Sequence, residues 1–177
     1  MILGAVLAGG RSTRFGSDKA LAQLAGQSLL SRAVEMLSRQ CEAVVVVGRS
    51  DAAVPCLSDR PRAGMGPLGG IAAALHHAAQ HGFDAVLTTA VDGFGFDADL
   101  LAQLSPAPAF CQSQPVIGLW PASAAPVVDA LLAGTGKHSL RALVQATGAR
   151  AVALSRIPHN INTPADLAAA QEQAHGL

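Results

Sequence analysis

The sequence has no excess of charge of either sign. Its 177 residues carry twelve Lys or Arg and twelve Asp or Glu, a formal net charge of zero. A neutral chain has no broad electrostatic footprint for nucleic acid or for an acidic membrane surface, so any positive charge that matters is local. Long apolar runs are missing too. Half of the residues are hydrophobic, yet no run reaches the roughly 18 residues of a membrane span. Cysteine is scarce: Cys41, Cys56 and Cys111 lie far apart, without a CxxC pair, a pattern of reduced thiols. No basic stretch precedes the first apolar run, so no signal peptide is expected. No repeat, linker or low-complexity segment divides the chain. The expectation is a single cytoplasmic domain over residues 1–177, long enough to bury a sizeable core, with no nucleic-acid and no membrane partner.

The loop after the first strand lacks two familiar phosphate motifs. No GK[ST] completes a Walker A there, and that loop is not a G-x-G-x-x-G either. What stands in their place is "LAGGRSTRFGSDKAL", residues 7–21. One of only two lysines, Lys19, follows three glycines (Gly9, Gly10, Gly16) and two arginines (Arg11, Arg14). Glycine N–H groups can meet phosphate oxygens closely, a guanidinium can grip them bidentately, and Lys19 adds a compact point charge. The same residues also suit a solvated loop with ordinary surface charges.

The rest of the chain alternates strand and helix. "ILGAVLAGG", "AVVVVG", "AVLTTAVD", "FCQ", "PVIGLW" and "RAVAL" read as short buried strands. Helices are expected over 28–40 with Ser28 as N-cap, over "PLGGIAAALHHAAQH" with Pro67 in the first turn, and over "DADLLAQL" capped by Asp97. Two more fit 125–133 and 139–147, the latter closed by Gly148. A last one fits "NTPADLAAAQEQA", with Thr163 at N-cap, Pro164 at N1 and Asp166 at N3. Apolar strands alternating with helices imply an α/β fold. The expected form is a Rossmann-like open, mostly parallel sheet with helices on both faces. Ligands then sit beyond the carboxyl ends of the strands.

Those ends carry the candidate residues. Asp92 leaves the third strand, where a carboxylate either offers a hard oxygen to Mg²⁺ or caps a turn. Asp59 lies in "SDRPRAGMGPLGG" and suits a metal, a substrate or the neighbouring Arg60 and Arg62. The glycines of that segment let backbone approach a flat ring, or simply make a surface loop. Asn160 and Asn162 precede the last helix, where Asn commonly caps or turns.

In order and spacing, "LAGGRSTRFGSDKAL", "GPLGGIAAAL", "AVLTTAVD", "QPVIGLW" and "NINTPADL" resemble the molybdenum cofactor guanylyltransferase family of nucleotidyltransferases. The resemblance runs from Leu7 to Leu167. It implies that Leu7, Ala8, Gly9 and Gly10 contact the nucleotide, with Arg11 and Arg14 at basic positions of the phosphate loop. It places Lys19 on the phosphates, Asp59 and Gly69 near guanine and ribose, and Asp92 on Mg²⁺. Asn162, Asn160 and Arg141 fall on the cofactor side. Two departures stand out. The family's proline two residues after the metal Asp is absent from "VDGFGF", where Gly93 and Gly95 stand instead. "GTGKHSLRAL" has Lys137 and Arg141 where relatives carry a tighter arginine cluster.

The implied reaction is transfer of GMP from GTP to the terminal phosphate of molybdopterin, with or without molybdenum, releasing pyrophosphate. Lys19, Arg14 and Asp92 are its catalytic candidates, and cofactor-delivery proteins are its implied transient partners. Three rivals share part of the pattern. One is the same chemistry with CTP or another acceptor. Another is a non-catalytic nucleotide-binding module. The third is a Rossmann oxidoreductase, which the lack of G-x-G-x-x-G in the first loop and of an acidic residue closing a second strand argue against.

Overall fold

The structure, a computed structural model, describes residues 1–10 and 15–175. The expectations for Arg11 and Arg14 lie outside the described residues. In chain order the elements are β1 (Ile2–Leu7), β2 (Gln23–Leu24), β3 (Gln27–Ser28), α1 (Leu29–Ser38), β4 (Ala43–Val47), β5 (Cys56–Leu57), α2 (Gly66–Gln80), β6 (Ala85–Ala90), β7 (Gly93–Phe94), α3 (Leu100–Leu104), β8 (Ala109–Cys111), β9 (Gly118–Pro121), α4 (Ala125–Ala133), α5 (Leu140–Thr147), β10 (Arg150–Val152), β11 (His159–Asn160) and α6 (Pro164–His175).

Among the described residues, the main sheet has seven strands in the order β10-β8-β9-β6-β1-β4-β5. β1 is central and parallel to both β4 and β6. β9 alone runs antiparallel to its neighbours. Only residues 112–117 separate it from β8, too few for the crossover a parallel pair needs. The fold is therefore the expected open, mostly parallel α/β sheet.

Alternation along the strands feeds two cores. Leu3, Ala5 and Leu7 of β1 join Val45 and Val47 under α2, α4 and α5. Val6, Val44 and Val46 point the other way, under α1 and α3. Gly4 lets α1 lie close, since a Cβ there would come 3.0 Å from Leu37 Cβ. A third, smaller cluster of Phe15, Leu24, Leu29, Ile161 and Ala170 ties the segment after the first loop to α6. No helix among the described residues is long and apolar enough to cross a membrane.

Helix ends follow local chemistry. Ser28 Oγ accepts the Ser31 N–H at 3.1 Å, Ser139 Oγ accepts the Ala142 N–H at 3.3 Å, and Gly148 closes α5 at φ +63°. One cap differs from expectation. α3 starts at Leu100 with Asp99, not Asp97, at its N-cap position. The Asp97 carboxylate is drawn instead to Gln103 at 3.3 Å and Arg156 at 3.5 Å.

The start of α6 is a reciprocal cap. Asp166 N–H donates to Thr163 Oγ1 at 3.1 Å, while Asp166 Oδ2 accepts the N–H groups of Asn162 and Thr163, both at 2.9 Å. The Asn162 N–H first, then the Thr163 side chain and N–H, hold this carboxyl below its ordinary 3.8. A depressed folded value means stability that is fully present above the unfolded value and lost as pH falls through the folded one. The melting temperature of Asp166→Ala should thus lie below that of the wild type from pH 7 down to about 4, the ordinary carboxylate range. The gap should close in stronger acid, as scanning calorimetry across pH can measure. A gap unchanged at pH 2 would refute the cap.

Candidate active site

Register builds the site before any side chain is considered. Leu7 pairs with Val47 on one side and Ala90 on the other, and Val47 pairs with Leu57. Four parallel strands therefore end in one row, and four loops leave the sheet at the same edge. Between them lies a cleft of about 860 Å³. Its walls include Leu7, Ala8, Gly9 and Gly10 from the first loop, Gly48 and Arg49 after β4, Asp59 after β5, and Asp92 after β6.

Backbone packing makes the floor. Ala8 N–H donates to Val47 O at 2.9 Å and Val91 N–H to Leu7 O at 3.2 Å. Gly48 has φ +87°, and a Cβ there would sit 2.5 Å from Gly9 Cα. Only glycine lets the two loops touch in this way. The Asp59 carboxylate accepts the Gly64 N–H at 3.3 Å. It faces Gly9 and Gly70, where a Cβ would lie 4.0 and 3.7 Å from Asp59 Oδ1.

The charged centre stands at the other wall. Lys19 opens a single 3₁₀ turn, Lys19–Leu21, capped by Asp18. Its Nζ donates to Asp92 Oδ2 at 2.8 Å and to Asn162 Oδ1 at 3.4 Å. Lys19 and Asp92 side chains are 17% and 18% exposed, so the pair is largely screened from water. Asp92 is held through its backbone. Its carbonyl accepts the Ile161 N–H at 3.0 Å, and the next residue, Gly93, pairs with Asn160 in the β7–β11 ladder. Asn162 is held by Asp166. Three side chains far apart in sequence thus converge on one point.

Asp92 and Asn162 bring two hard oxygens to one cationic group. That donor set suits a divalent ion that draws its other ligands from phosphates and water. Among the described residues no three His, Cys, Asp or Glu side chains gather as a closed metal site.

Other expected residues lie elsewhere. Gly69 is buried behind the wall: a Cβ would meet Met65 Cβ at 2.5 Å and Arg60 O at 2.9 Å, and the Gly69 carbonyl accepts the Arg60 N–H at 3.1 Å. Its neighbour Gly70 lines the cleft. Asn160 is exposed on β11, beside Gly93. Arg141 is exposed on α5, whose helix packs on α4 and α2, and it is not among the cleft-lining residues. Sequence reasoning passed over Gly48, Asp18 and Arg49. Burial alone would lower the Arg49 guanidinium, but hydrogen bonds to Asp18 and Asp51 outweigh it and raise the pKa. A glycine closing "AVVVVG" and a cation directly after it were the available signals.

Residues 4–156 match the MobA-like NTP transferase domain. The chain is 38% identical to the molybdenum cofactor guanylyltransferase of Rhodobacter capsulatus, covering 97% of this chain and 96% of the relative. It is 37% identical to that of Acidiphilium cryptum, covering 94% and 92%. The chain belongs to the molybdenum cofactor guanylyltransferase family. It is a nucleotidyltransferase. Among solved structures, the molybdopterin-guanine dinucleotide biosynthesis protein A of Archaeoglobus fulgidus shares the fold, with a TM-score of 0.79 at 22% identity over 99% of this chain and all of the other. A nucleotidyl transferase of Methanothermobacter thermautotroptrophicus does so at 0.71, with 18% identity over 98% and 97%.

The family's departure at "VDGFGF" has a steric account. Gly95 takes φ +82°, but Gly93 does not enter the left-handed region. Instead the Phe96 ring lies against it, and a Cβ would meet Phe96 Cζ at 2.2 Å. The constraint at 93 is therefore the neighbouring ring, not backbone conformation, and the partly exposed Phe96 must swing away to admit a Cβ. Gly93→Ala should destabilise the fold by about 1 kcal/mol, the low end of overpacking costs. Adding Phe96→Leu should recover part of that loss in chemical denaturation. No loss in the single variant, or none recovered in the double, would contradict the packing.

Proposed function

We propose that this chain transfers GMP from GTP to the terminal phosphate of molybdenum-loaded molybdopterin in the cytoplasm, releasing pyrophosphate. The observation that carries the reading is the convergence of Lys19, Asp92 and Asn162 beside a glycine-walled cleft. The printed names of the relatives supply the base and the acceptor.

A phosphate oxygen of the acceptor bonds to the α-phosphorus of GTP, and the bond from that phosphorus to the bridging oxygen breaks. Both partners are anions, so alignment and charge neutralisation are most of the task. The N–H groups of Gly9 and Gly10 receive the phosphates, and Lys19 stabilises charge growing on the transferring group. Asp59, fixed by Gly64 on the far wall, accepts from the donor edge of guanine or from ribose hydroxyls. Asp92, with Asn162, would hold Mg²⁺, which would supply charge neutralisation to the transferring phosphates. Asn160 and Asn162 lie on the acceptor side. No side-chain nucleophile is required.

Pyrophosphate release from GTP, Mg²⁺ and molybdopterin tests these roles. Lys19→Met should cut turnover by about 100-fold or more, the usual cost of removing one electrostatic group at such a centre. Asp92→Asn keeps the size but drops the charge a hard cation prefers. It should lose metal-dependent turnover while the fold and weak nucleotide binding survive. Turnover of either variant within a few-fold of wild type overturns the assignment. A wild type that binds GTP yet releases nothing would favour a nucleotide-binding module.

A further inference from the structure

Arg49 lies partly buried at the cleft wall and has no part in the chemistry above. Its side chain is 13% exposed. Nη1 donates to both carboxylate oxygens of Asp18, each at 2.9 Å. Nε and Nη2 donate to Asp51 at 3.2 and 3.3 Å. Asp18 in turn accepts the Ala20 N–H at 3.2 Å, so the carboxylate that Arg49 grips is the one that caps the Lys19 turn. A continuous chain of bonds runs from the end of β4 to the lysine that meets Asp92.

We infer that Arg49 is a positioning residue, a strut that clamps Asp18 and thereby aims Lys19 into the cleft. The inference rests on the role given to Lys19 above. The rival is direct contact between Arg49 and a phosphate, since the residue lines the cleft. Bonding favours the strut, because the guanidinium is already engaged by both carboxylates. Geometry agrees, because the planar fork spans two separate loops and most of its N–H groups are engaged. A lysine could not make that span with one point charge. The capped turn is short, so its direction depends on the cap. A displacement of about 1 Å at a reacting centre can cost on the order of 100-fold in rate.

The test is a double-mutant cycle on pyrophosphate release from GTP and molybdopterin, using wild type, Arg49→Met, Lys19→Met and the double variant. Arg49→Met should lower kcat by ~10- to 100-fold and change KM for GTP by less than ~3-fold. In the Lys19→Met background the same change should cost less than ~3-fold, because the strut then has nothing to aim. Three results would overturn the inference: wild-type turnover in Arg49→Met, a rise in KM alone, or an undiminished loss on top of Lys19→Met, which marks direct action on the substrate. If Arg49→Met does not fold, Asp18→Ala removes the same link from its more exposed end and enters the same cycle. Full turnover in Lys19→Met would sink the reading of the site. A silent Arg49→Met beside an impaired Lys19→Met would sink the strut alone.

Discussion

The contact between Lys19 and Asp92 organises the cleft. It joins the turn after the first strand to the end of the third long strand, 73 residues on. Neither partner could be held in place by a flexible loop. Lys19 is fixed by the capped turn and Asp92 by the β7–β11 ladder and the Ile161 N–H. The ladder also delivers Asn162, and the cap of α6 fixes the Asn162 backbone. Elements that look peripheral, a capped turn, one short strand pair and a C-terminal helix, therefore serve one charged centre.

Close backbone packing does the corresponding work on the opposite wall. Gly9 meets Gly48, and Gly69 meets the Arg60 carbonyl, at distances that exclude any Cβ. These contacts fix loops that charge alone would leave loose. Asp59 stands beside them as a polar group facing Gly9 and Gly70.

Much of this was legible in the sequence, for local reasons. The buried runs gave strands, and Ser28, Gly148 and the Thr163–Asp166 pair marked helix ends through bonds made within a few residues. What was not legible depends on distant partners. Asp97 looks like a cap, but Gln103 and Arg156 claim its carboxylate. β7 and β11 are two residues each and pair across the span from Gly93 to Asn160, so neither has a pattern of its own. Gly69 and Gly70 are adjacent, and helical rotation turns one into the packing and the other into the cleft. Gly93 is a glycine because of a ring three residues away, not because of its own backbone. Arg49 reads as an ordinary charge in "GRSDAAV" until the fold brings Asp18 to it.

Guanylyl transfer to a pterin phosphate is the activity proposed for this cleft. The most direct measurement gives the wild-type protein GTP labelled at the α-phosphate, molybdopterin and Mg²⁺, with and without an equal concentration of CTP. A site built to pair guanine rejects a base that leaves its polar groups unmatched. The account predicts that the α-label enters the dinucleotide product and that CTP barely reduces it, while label placed on the γ-phosphate leaves as pyrophosphate. Equal transfer from labelled CTP, or bound GTP whose label never reaches molybdopterin, would contradict it.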